Sequence, residues 1–194
     1  MFKKFTPKED IATSTKVKSS VQRNIRAKLL EQMPHLGDAV APKEGSDQER
    51  ILLEELWPKK DDLTLVKCRE HVSLLVKDGE PLFFQHFDGP YYPTLKLLHR
   101  YPQILPRVQV DRGAIKFVLA GANIMCPGLT SKGASLPDSI PADRAVGIFA
   151  QGKEHACAIG LMKMSTDEIR SINKGHGIES VHYLADDLWS VSTL

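Results

Sequence analysis

Cysteine is scarce and badly placed for bridging: Cys68, Cys126 and Cys157 are widely spaced and odd in number. That argues against a disulfide framework and for a reducing compartment, expected to be the cytoplasm. Long apolar runs are missing as well. No stretch approaches the roughly 20 apolar residues of a membrane span, and no apolar run of signal-peptide type follows the Lys-rich start, so no membrane association is expected. Catalytic signatures are absent too. The chain has no Gly-rich phosphate loop ending in Gly-Lys-Ser/Thr, no Gly-x-Ser-x-Gly elbow and no paired metal-binding histidines on a helix. Seven histidines are scattered and read as surface or satisfied buried residues rather than bases. Cys68 and His71 have a metal-like C-x-x-H spacing, but a zinc site takes about four ligands and no second pair lies nearby. The two are expected to be neighbours in a strand pair. The expectation is a protein without metal, cofactor or catalytic residue.

What the chain does have is segregated charge. The net charge is only +2 over 194 residues. Through Pro34, however, eight Lys/Arg stand against three acids, whereas from His35 to Asp62 eight acids stand against four bases. The last thirty residues are acidic again. A basic N-terminal arm can meet a polyanion even when the whole chain is near neutral. The acidic segments suit a protein surface better than an RNA surface.

The most informative stretch runs from Val110 to Leu129. It reads as a short strand, a compact helix capped by Asp111, a Gly121-Ala122-Asn123 turn, a second strand and a Pro127-Gly128 stop. Ala114, Ile115, Val118 and Leu119 fall at helical spacing for one buried face. Gly121 and Asn123 tolerate the left-handed backbone that leaves a helix sharply. Such a corner could be an ordinary helix C-cap, or it could leave backbone N–H groups free to receive a phosphate or a base edge.

Upstream, a helix is expected from Ser20, its cap, to Gln32. Its apolar stripe is Val21, Ile25, Leu29 and Leu30, with Arg23, Arg26 and Lys28 largely off it. Pro42 to Gln48 reads as a mobile loop, and Ile51 to Trp57 as a short helix stopped by Pro58. Strands follow at Leu63–Lys67 and Val72–Val76, and Asp78-Gly79 marks a two-residue hairpin turn into Pro81–Phe87. That hairpin could offer a sheet edge or an aromatic patch of Phe83, Phe84 and Phe87 to a partner. Pro93 to Tyr101 is expected to be helical, with Lys96 and Arg100 sharing an outward face. Thr94 would open that helix, where a phosphate is electrostatically favoured. Downstream, Ala145–Ala150 and His155–Met164 read as strands. The small residues Ala156, Ala158 and Gly160 of the second allow a close neighbour. Ser165-Thr166-Asp167-Glu168 is a capping box, and Val181–Leu184 and Leu188–Ser190 are expected as final strands.

The Val110–Leu129 stretch resembles the opening of a PUA domain, an RNA-binding module. Met1-Phe2-Lys3-Lys4-Phe5, Gly89-Pro90-Tyr91-Tyr92-Pro93-Thr94-Leu95 and Gly175-His176-Gly177-Ile178-Glu179 resemble the malignant-T-cell-amplified-sequence family, whose fungal members are called translation machinery-associated proteins. His35 to Leu52 departs from the family pattern in being longer and more acidic. The resemblance implies an α+β chain: an N-terminal mixed domain over residues 1–109, then a PUA-type pseudo-barrel of short strands and small helices over 110–194. The departing segment is expected, from its composition, to hold a mobile acidic loop at about 37–50. It also implies a non-enzymatic translation factor. The partners it implies are small ribosomal subunit RNA, tRNA and a density-regulated protein-like subunit with an initiation-factor-like domain. The work it implies is release of deacylated tRNA in recycling, and reinitiation. The alternative is an accessory RNA-binding subunit of an RNA-modification system. Candidate RNA-binding residues are Lys116, Gly121, Asn123, Lys132 and Lys153, with Lys96, Arg100, Arg23 and Arg26 as further ribosome or RNA contacts.

Overall fold

The computed structural model describes residues 1–42 and 49–194; most of the expected Pro42–Gln48 loop, residues 43–48, lies outside the described residues. The chain divides into two compact units. One comprises Pro7–Pro93 with Thr193–Leu194, the other Met1–Thr6 with Thr94–Ser192.

In the first unit, a short helix α1 (Pro7–Asp10) leads into strand β1 (Ile11–Lys16) and helix α2 (Ser19–Gln32). A 3-10 turn, Pro34–Gly37, precedes the paired short strands β2 (Ala39–Val40) and β3 (Arg50–Ile51), and α3 (Leu52–Leu56) follows. Strands β4 (Thr64–Cys68), β5 (Val72–Lys77), β6 (Glu80–His86) and β7 (Tyr91–Pro93) complete an antiparallel sheet of order β1-β4-β5-β6-β7. The β5–β6 turn is the expected one, with Asp78 at φ 50° and Gly79 at φ 84°. Because β5 and β6 lie inside the sheet, the hairpin offers no edge. Phe83 and Phe84 are core residues, and only Phe87 reaches solvent.

Helix α2 corrects the expected cap and stripe. It begins at Ser19 behind Lys18, whose side chain makes no capping bond. Ile25 and Leu29 are buried, Val21 is exposed, and Gln22 is the third buried residue, its amide donating to the Val17 carbonyl at 3.0 Å. At the other end Gln32 accepts the Tyr91 N–H at 2.8 Å. Polar side chains with obligatory partners therefore replace part of the apolar stripe.

The second unit opens with α4 (Leu95–Arg100), capped by Thr94, whose hydroxyl accepts the Leu97 N–H at 3.3 Å. Thr94 is only 4% exposed, so the expected room for a phosphate there does not exist. Strand β8 (Arg107–Val110), α5 (Ile115–Leu119), β9 (Ile124–Met125) and α6 (Pro127–Thr130) follow. Pro127-Gly128 thus starts a helical turn instead of stopping a strand, as suits proline at a first helical position. Strands β10 (Ala145–Ala150) and β11 (Ala156–Met162), helix α7 (Thr166–Ile172), strand β12 (His176–Tyr183) and helix α8 (Asp187–Ser190) complete the unit. The sheet order is β8-β10-β11-β12-β9, with β8 parallel to β10 and the other pairs antiparallel.

The capping box at Ser165 and Glu168 is formed reciprocally, as the sequence predicts. The expected last strand is instead α8. Asp186 accepts the Trp189 N–H at 3.0 Å, which caps a helix where a strand was expected. The opening Met-Phe-Lys-Lys-Phe peptide has a structural purpose here. Phe2 is 1% exposed and packs edge-on to His182 at 5.8 Å, while the Phe5 N–H donates to the Asp187 carboxylate at 2.8 Å.

The small-residue face of β11 permits the close approach expected of it. His99 of α4 hydrogen-bonds the Ala156 carbonyl at 2.7 Å. A methyl at Gly160 would stand 2.3 Å from the Ile178 side chain and 2.8 Å from the Glu179 carbonyl oxygen. Gly160→Ala is therefore expected to destabilise the chain by about 1–3 kcal/mol through overpacking, read as a lowered midpoint in urea unfolding; an unchanged midpoint would show that β11 and β12 separate freely.

Candidate nucleic-acid interface

The stretch that dominates the sequence builds a groove on the second unit. Asp111, just past β8, accepts the Ala114 N–H at 3.0 Å and the Ser131 hydroxyl at 2.5 Å. The Ser131 bond, with backbone N–H bonds from Ala114 and Gly113, holds its carboxyl below the ordinary range. Asp111 thereby ties the start of α5 to the end of α6.

Helix α5 leaves through Gly121 at φ 75°. The Gly121 N–H donates to Val118 O at 2.9 Å and the Ala122 N–H to Phe117 O at 3.0 Å, the paired bonds of a Schellman cap. The left-handed exit is the expected one, but it consumes the amides that a phosphate-receiving corner would present. Asn123 is not left-handed. Its side-chain carbonyl accepts the Ser180 N–H at 3.0 Å.

Beside this corner lies a cavity of about 410 Å³, floored by Ala114, Val118 and Ile124 and flanked by Phe117 and Met125. Phe117 is 56% exposed and Met125 46%. Leu119, expected inward, is also exposed, because a helix this short buries only Val118 fully. The groove is thus apolar, with Asp111 and Asn123 as polar lining residues. Exposed aromatic and thioether faces suit flat, unstacked bases. Sequence reasoning passed over Phe117 and Met125. The available signal was a ring on α5 outside the Ala114–Val118 face.

The basic candidates fall into distinct places. Lys116 is exposed on α5, its ammonium 5.0 Å from the Phe117 ring centroid. Lys132 and Lys153 are exposed on two turns that meet. The Gln109 amide donates to Gly133 O at 2.8 Å, and a Cβ at Gly133 would strike Gln151. Those turns adjoin the ends of β8 and β10 rather than line the cavity. Lys96 is not outward-facing as expected. Its ammonium donates to Val191 O at 2.6 Å and lies 5.9 Å from the Trp189 centroid. Arg100 is exposed. In the first unit Arg23 is exposed, whereas Arg26 packs 3.9 Å above the Trp57 ring and donates to the Trp57 carbonyl. Its guanidinium is spent on the core.

Cys68 ends β4 while His71 lies in the following turn, so they are not strand partners. Burial pushes the Cys68 thiol up to about 11. Among the described residues, no group of three or more His, Cys, Asp or Glu is placed to hold a metal ion, and no helix is long and apolar enough to cross a membrane.

A Pre-PUA-like domain model matches residues 5–102 and a PUA domain model residues 106–184. Malignant T-cell-amplified sequence 1-A of Xenopus laevis is 51% identical over 193 residues, 100% of this chain and 99% of that one. This chain belongs to the malignant T-cell-amplified sequence family. Translation machinery-associated protein 20 of Schizosaccharomyces pombe is 50% identical over 189 residues, 97% of each chain. The fold is similar to that of a hypothetical protein from Pyrococcus horikoshii, with a TM-score of 0.70 at 20% identity over 93% of this chain and 99% of that one. A conserved PUA domain protein from Thermoplasma acidophilum gives 0.60 at 20% identity over 92% and 98%. The α+β class with a C-terminal PUA fold is thereby shown.

Gly121 carries two constraints at once: its positive φ, and the Tyr183 ring 2.5 Å from where a Cβ would stand. Gly121→Val is expected to cost on the order of 2 kcal/mol or more and to lower the melting temperature of the second unit. A wild-type melting curve would contradict the corner.

Proposed function

We propose that this chain is a non-enzymatic, RNA-binding factor of the translation machinery. The observation that supports it most is the apolar groove of the PUA unit, with Phe117 and Met125 exposed and Lys116 beside it. A second support is end-to-end similarity to a translation machinery-associated protein. Phosphate contacts from Lys116, and from Lys132 and Lys153 on the adjoining turns, position the RNA. The groove takes an unstacked base, which supplies discrimination that phosphates cannot. No bond is made or broken. Binding energy alone does the work.

In its finer form the reading places the chain in the cytoplasm, on the small ribosomal subunit. There it handles tRNA beside a density-regulated protein-like partner, promoting release of deacylated tRNA in recycling and supporting reinitiation. The acidic 165–194 segment suits a protein partner. The rival reading, an accessory subunit for RNA modification, predicts loss of base modification in a deletion strain. The translation reading predicts co-sedimentation with free small subunits.

Lys116→Ala combined with Lys153→Ala should leave the fold intact, since both residues are exposed. The slope of log affinity for small subunits against log salt should fall by about 1.5, from two fewer released counterions. An unchanged slope would remove these lysines from the interface.

A further inference from the structure

The Cys68–His71 motif finds its use in the turn between β4 and β5. Glu70 and His71 both have positive φ, 54° and 57°, and the Val72 N–H closes on Arg69 O at 3.3 Å. That is the pattern of a type I′ turn, which normally takes Asn-Gly because other residues are strained there. Phe87, at the end of β6, is a third residue with positive φ, 50°, and its N–H donates to His71 O at 2.9 Å. The outcome of these unfavourable conformations is one surface feature. The His71 and Phe87 rings stack 4.4 Å apart, with His86 edge-on to Phe87 at 4.6 Å. Phe87 is 59% exposed.

The stacked pair stands on the rim of a groove of about 600 Å³ between α2 and the sheet. Its lining is mixed: Lys67, Ser73 and Gln85 face one another across three strands, beside apolar Ile25, Leu65 and Tyr91. Lys28 from α2 and Arg69 from the turn join Lys67 in lining it. All three cations are exposed, and none is ion-paired among the described residues. Two carboxylates, Glu70 and Asp88, also line the groove.

We infer that this groove is a second RNA site, in which an unpaired base stacks on the His71–Phe87 pair while its flanking phosphates meet Lys28, Lys67 and Arg69. Cations around an exposed ring are the combination that holds single strands. The carboxylates accept from an exocyclic base amine, so cytosine is favoured over uracil. Bulky residues held left-handed at a surface are characteristic of ligand clamps rather than of folding needs. The inference rests on the RNA-binding reading and extends it to the first unit.

The test uses the full chain and fluorescein-labelled oligocytidylate, with oligouridylate as comparison, followed by anisotropy. Phe87→Ala should weaken oligocytidylate binding by about tenfold or more, the loss of one stacked base, and Phe87→Tyr should restore it. His71→Gly should bind more weakly while melting at or above the wild-type temperature, because glycine relieves the turn. Joint Lys67→Ala and Arg69→Ala should lower the salt slope by about 1.4. Wild-type affinity in Phe87→Ala would overturn the site, as would a loss of protein partner with RNA binding intact. These results are separable from the PUA groove: Lys116→Ala with Lys153→Ala should leave the Phe87 dependence in place. Failure of the wild-type chain to bind any RNA would overturn the broader reading instead.

Discussion

The second unit turns on the contact between the Gly121 backbone and the Tyr183 ring. Only a residue without a Cβ lets β12 bring that ring so close, and only a residue at ease with positive φ lets α5 close its Schellman cap there. The cap in turn sets what the groove offers. With the Gly121 and Ala122 amides bonded back to α5, the corner has little left to give a phosphate. Asp111, Ser131 and Asn123 bond to one another's elements or to Ser180, so much of the polar machinery nearby is internal. The surface that remains is apolar, chemically better suited to a base face than to a phosphate.

Exposing Phe117 and Met125 carries a thermodynamic cost of roughly 25 cal/mol for each Å² left in water. The pair Phe117–Lys116 is arranged so that a cation sits near the ring, 5.0 Å from its centroid, and both are available to the same ligand. The same logic in the first unit is stronger because conformational strain is added to exposure. Left-handed conformations cost roughly 1–2 kcal/mol per non-glycine residue, and three of them converge on His71 and Phe87. A turn optimised for stability would use asparagine and glycine.

Local chemistry was legible wherever a rule acts over a few residues. Asp78-Gly79, the Ser165–Glu168 box and the Gly121 exit all involve bonds within five positions, and their residue types leave few alternatives. The readings that failed depend on partners far away in the chain. Lys96 is captured by a carbonyl 95 positions on, and Arg26 by a tryptophan 31 positions on. Helical spacing rightly put both off the apolar stripe, yet an amphipathic side chain can bury its stem or stack its head wherever the fold provides a neighbour. The C-terminal Leu-Trp-Ser failed differently. A strand was expected there, but Asp186 caps a helix, and it is itself fixed by a 2.7 Å bond to buried His182.

A net charge of +2 gives this chain little long-range field with which to gather RNA. Its affinity has to come from a few cations whose effect is local, and those are screened beyond about 8 Å at physiological salt. Stacking is much less sensitive to salt, so a near-neutral protein that combines two or three lysines with an exposed ring retains RNA where a purely electrostatic binder would release it. The distribution of residues matches the proposed reading: exposed rings accompany cations at Lys116–Phe117 and at Arg69–His71–Phe87, while Arg26, stacked on buried Trp57, serves the core.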